Sequence, residues 1–145
     1  MTMSRAFHVP FGEMKTDVFE QVAILTAYHA AKNDRQEEWC DRIPMIAEDQ
    51  SMFDLFWQNS VAKATRVLDI NAARHRPRHM APVHVSVVLL QSLVRIFLIN
   101  DITAQWFSVT LPEAENKYSS SAEAALGQCR KLLQLSHARK HLDPL

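Results

Sequence analysis

Residues 87–107, VVLLQSLVRIFLINDITAQWF, run for 21 residues with no glycine or proline, and their apolar groups are interrupted at Gln91, Ser92, Arg95, Asp101 and Gln105. A strand of that length would be exceptional, so the run predicts a helix. A helix that is apolar on most sides must be enclosed by other elements, which makes this one the spine of the core. Two glycines in 145 residues reinforce the point, because tight hairpins depend on glycine and a many-stranded sandwich or barrel is therefore disfavoured. The expectation is one mainly α domain spanning residues 1–145, about a four-helix bundle. Its ends, about residues 1–14 and 139–145, are expected to be mobile.

Three further helices can be read around the spine. In TDVFEQVAILTAYHAAKN (16–33), Val18, Val22, Leu25 and His29 form a stripe with Ile24, Tyr28 and Ala31 beside it, and Thr16 or Asp17 can cap the start. Ser51 and Asp54 have the spacing of a capping box. From there Phe53, Trp57, Ser60/Val61, Ala64 and Val67/Leu68 step at helical periodicity to about Ala72. Thr110 and Glu113 repeat the capping spacing, with Pro112 in the first turn where no N–H bond is lost. Leu111, Ala114, Tyr118, Ala122, Ala125, Cys129 and Leu132/Leu133 then give an inward stripe that is small in its middle, suited to close approach of a neighbour. The stretch DRQEEWCDRIPM reads as a connector ending at Pro44.

Between the second and third helices lies RHRPRHMAPVHVSVVLL (74–90). Pro77 and Pro82 oppose helix here, and Val83, Val85 and Val87 alternate with His84 and Ser86 in the manner of a short strand or hairpin. His75, His79 and His84 are poor candidates for a metal site, because the arginines between them repel a cation and no cysteine or carboxylate joins them. Arg74, Arg76 and Arg78 suit non-specific contact with DNA phosphates, without the aromatic interleaving of a sequence reader. No cofactor is implied.

The chain carries no net charge, yet residues 1–54 hold 5 basic against 10 acidic groups and residues 55–145 hold 11 against 6. Such halves either face each other within one fold or steer copies together head to tail. Cys40 and Cys129 are far apart and read as reduced thiols. The N-terminal residues hold no continuous apolar core of a leader, which suggests a soluble, intracellular protein with no membrane partner. No glycine-rich phosphate loop, nucleophile elbow or zinc-protease motif occurs, and no enzyme is expected. His29 and Cys129 are conceivable as base and nucleophile, though such residues on an apolar stripe are ordinarily core.

The order of an acidic opener EDQSMFDLFWQNSVAKATRVL, a proline-bearing loop, an apolar helix LVRIFLINDITAQWF and the ending VTLPEAENKYSSSAEAALGQCRKLL resembles structural proteins of tailed bacteriophages. It is similar to the small helical head-to-tail connectors of the phage neck. The resemblance spans most of residues 16–138 and rests on pattern, and the basic loop departs from the acidic DNA channels of such connectors. It implies a non-enzymatic virion protein, made in the bacterial host cytoplasm, that forms a homo-oligomeric ring and bridges portal and tail. Arg74, Arg76, Arg78, the Val83, Val85 and Val87 edge, and Trp39 as an exposed anchor would form the assembly interface. The alternatives are a tail-completion protein or a small helical regulatory module that binds one partner.

Overall fold

The expected spine forms as α3, Val87–Thr110, and three other helices surround it: α1 (Phe11–Lys32), α2 (Gln50–Arg74) and α4 (Pro112–Leu142). The computed structural model describes residues 9–32, 43–74 and 87–142, with the side chains of 70–74 and 135–142 outside the description. By length and composition α3 is apolar enough to cross a bilayer. Here it is a core helix, with 12 of its 24 residues buried, among them Phe97, Leu98, Ile102 and Phe107. The mainly α, four-helix expectation holds.

Helix directions follow from which residues meet. Asp17 pairs with Arg95, and His29 packs against Phe107, so both contacts join residues 78 apart and α1 runs parallel to α3. On the other flank Asn59 bonds Gln105 while Lys63 reaches back to Asp101, so α2 runs antiparallel to α3 there. α4 folds straight back along α3, with Leu111 as the only residue between the two helices. The Leu111 N–H donates to the Phe107 carbonyl, and the Ala114 N–H donates to the Leu111 carbonyl, both at 2.9 Å. Pro112 is the first residue of α4, where a missing N–H costs nothing.

The helix ends differ from expectation for identifiable reasons. α1 starts at Phe11 rather than at Thr16 or Asp17, and Asp17 serves an ion pair to α3 instead of a cap. A single 3₁₀ turn, Ala47–Asp49, leads into α2, and the Ile46 N–H donates to Asp49 Oδ2 at 2.9 Å. The acidic return of a capping box therefore comes from Asp49. Asp54 instead meets Lys15 at 3.0 Å and Gln50 at 3.1 Å, and these partners hold its carboxyl below the usual carboxylate range. Thr110 closes α3, its hydroxyl donating to the Trp106 carbonyl at 2.9 Å.

The connection between α2 and α3 also changes. Arg74, expected on extended backbone, is the last residue of α2, because the constraint from Pro77 reaches back only to the residue preceding it. Val87, expected at the end of a strand, opens α3, and no strand occurs among the described residues. Nothing after Val87 interrupts the helical hydrogen-bond ladder, and Val83 and Val85, the rest of the expected strand, lie outside the described residues. Both glycines lie inside helices, Gly12 in α1 and Gly127 in α4, and neither turns the chain.

Candidate interaction surface

Of the buried polar side chains, Thr26, Ser60 and Asp101 are taken up by joining one segment of the chain to another. Thr26 is fully buried on α1; its hydroxyl donates to the Val22 carbonyl at 2.9 Å and accepts from the Met45 N–H at 2.8 Å. Two residues earlier in that segment, the Ile43 carbonyl accepts from Trp106 Nε1–H at 2.6 Å. The short approach to α2 is thus fastened to α1 and α3 at once.

A second set sits between α2 and α3. Asp101 is buried and accepts from the Ser60 hydroxyl at 2.6 Å, from Gln105 Nε2 at 3.2 Å and from Lys63 Nζ at 3.2 Å. Gln105 also donates to Ser60 Oγ at 3.0 Å and accepts from Asn59 at 3.1 Å. Ser60 is fully buried, so no substrate can reach its hydroxyl. A carboxylate in a core must be paired, and this network supplies the partners.

The third set joins α1 to α4 nearer the surface. His29 Nε2 and the Tyr118 hydroxyl are 2.6 Å apart, and both rings pack on Phe107. Burial, then the charges of Lys117 and Lys32, lower the His29 pKa, and burial raises that of Tyr118. In its Nδ1–H tautomer the neutral imidazole accepts from the phenol. Lys32 Nζ lies 5.1 Å from the centre of the Tyr28 ring and Lys117 Nζ 5.6 Å from that of Tyr118, both within cation–π range.

His29 and Cys129 do not form a dyad. Cys129 follows the partner of His29, Tyr118, by 11 residues on the same helix, about 16 Å along its axis. Burial also pushes the Cys129 thiol up to about 11, which leaves it protonated at neutral pH. Among the described residues no group of His, Cys, Asp and Glu is placed to hold a metal ion.

The residues expected to form an assembly interface are only partly in view. Trp39, Arg76, Arg78, Val83 and Val85 lie outside the described residues, as do His75, His79 and His84; Arg74 is placed by its backbone alone. Val87 is exposed at the start of α3, followed by Val88, three-quarters exposed, and Leu89. Three consecutive residues span more than half of a helix circumference, so they cannot all face one core.

Two further apolar stripes escaped the reading of the sequence. On α1, Ile24 and Tyr28 are 61% and 55% exposed, although they were expected beside the buried stripe. The buried face is narrower, made of Val18, Val22 and Thr26. On α2, Met52 and Leu55 stand outward at spacing i, i+3. The available signal was angular: Ile24 and Tyr28 fall on the side of the wheel opposite Val22 and Thr26, as Leu55 does relative to Phe53 and Trp57, with Met52 about 100° from Phe53.

No protein-family model matches the chain, and no curated protein or solved structure matches it either.

Proposed function

We propose that this protein is a non-enzymatic assembly protein of a tailed-phage virion, a ring-forming adaptor that bridges portal and tail. The resemblance in sequence order supplies the class. The observation that carries it is the apolar start of α3, where Val87, Val88 and Leu89 are exposed. Contiguous exposed aliphatic groups mark contact with another protein, since each Å² of apolar surface removed from water contributes about 25 cal/mol. The buried groups Thr26, Ser60 and Asp101 support the same reading, because each is engaged in holding one segment of the chain to another.

Mass photometry of the purified protein, alone and mixed with a portal protein encoded beside it, tests the proposal. The expected result is a multi-copy species that the portal protein enlarges. A strictly monomeric protein that ignores the portal overturns it. Reversing charge at Arg74, Arg76 and Arg78, or replacing Val88 with Asp, should impair that assembly and leave helicity and Tm nearly unchanged.

A further inference from the structure

We infer that copies of this chain associate head to tail by seating the basic, aromatic face of α1 and α4 on the acidic, apolar face that opens α2. The first face consists of Tyr28 with Ile24 one turn earlier, rimmed by Lys32 and Lys117. The second consists of Met52 and Leu55, with Glu48 and Asp49 at their N-terminal end. Glu48, Met52, Leu55 and Asn59 follow one another at helical spacing, and all four are exposed.

Complementarity identifies a second copy as the occupant. Each face has an apolar centre of two exposed residues and a pair of like charges at its edge, with opposite sign on the two faces. Neither Lys32 nor Lys117 makes an ion pair among the described residues, and the same holds for Glu48. The two faces do not neutralise each other within a copy. α1 meets α2 through Phe19 on Phe53 and through Lys15 on Asp54, more than a turn away from Ile24. Tyr28 turns instead toward His29 and the Lys32 side, and Met52 and Leu55 turn away from the core that Phe53 and Trp57 enter. A contact between unlike faces leaves one of each kind free at the ends, so association continues until a ring closes or a filament grows. The inference rests on the adaptor reading for its ring and supplies the surface through which copies would meet.

Sedimentation velocity over a range of concentrations tests it on the full chain. Two variants alter one face each: Lys32→Glu with Lys117→Glu, and Glu48→Lys with Asp49→Asn, where asparagine keeps an acceptor for the Ile46 N–H. The wild type should associate, and added salt should weaken it because exposed charges are screened. Each variant alone should weaken association about tenfold or more. An equimolar mixture should recover it, because one join pairs two intact faces and the altered faces, their signs exchanged, also match. Circular dichroism should show both variants folded as the wild type is.

Wild-type association that both variants retain overturns this interface and leaves the adaptor reading in place. Loss in both variants without recovery in the mixture overturns the pairing of the two faces. A wild type that stays monomeric at every concentration overturns self-association through these faces, and mixing with the portal protein then decides the adaptor reading separately.

Discussion

Against α4, the spine helix meets Tyr118, Ala122, Ala125, Cys129 and Leu133, all buried; against α2 it presents Asp101 and Gln105 to Ser60, Lys63 and Asn59. The first seam is apolar and close, because alanine and cysteine leave little side chain between the helices. The second is hydrogen-bonded and directional. Apolar packing contributes free energy in proportion to area and tolerates small slips. A carboxylate that needs three donors is satisfied in one register only, so the α2 seam fixes where α2 sits along the spine.

Substitutions at each seam can break the comparison. Phe107→Ala has the largest expected effect, since the ring is fully buried between His29 and Tyr118; urea denaturation should show a loss of about 3–5 kcal/mol. Asp101→Ala should cost about 1–3 kcal/mol, because Ser60 and Gln105 lose a charged acceptor. The double variant Ser60→Ala with Asp101→Leu should return much of that loss, since a buried polar pair replaced by apolar groups is often neutral. If the double variant were as unstable as the single one, the α2 seam would owe its stability to the network and not only its register.

Thr103→Val probes the other side of the helix. Thr103 lies two residues beyond Asp101, about 200° around the axis, and its buried hydroxyl has no partner among the described residues. Valine keeps the shape and removes the unpaired group, so a gain of about 1 kcal/mol is expected, read as a higher urea midpoint at unchanged m-value.

The smallest effect concerns His29. Its folded-state pKa lies below the unfolded value of about 6.5, so the unfolded chain binds the proton more readily. Its contribution is fully present above about pH 6.5 and declines as pH falls through that value, levelling off below the folded-state pKa. Comparing Tm between pH 5 and 8 for wild type and His29→Gln should give a shallower acid decline in the variant. Identical slopes would remove the α1–α4 pair from the pH response.

Much of this frame was legible because periodicity reports which face of a helix is buried. His29, Ser60 and Tyr118 could each be assigned to inward stripes from spacing alone. Their partners could not, since Tyr118 and His29 are 89 positions apart and nothing local records the pairing. Asp101 stood out only as a polar interruption in an apolar run; its meaning depends on Ser60 and Lys63, which sit on another helix. The start of α1 was misplaced because Thr16 and Asp17 have the chemistry of a cap while Asp17 is used by Arg95. The exposed stripes at Ile24–Tyr28 and Met52–Leu55 were hidden by composition, since an apolar residue in an amphipathic helix is read as core by default.

The single residue between α3 and α4 bears on the order of assembly during folding. Closing that hairpin immobilises almost no chain outside the helices, whereas packing α1 on α3 must bring together residues 78 positions apart. Loop-closure entropy rises with the separation spanned, and contacts near in sequence form at lower entropic cost. The hairpin centred on Leu111 is therefore the natural nucleus of the bundle, with α1 and the α2 network joining a surface already made.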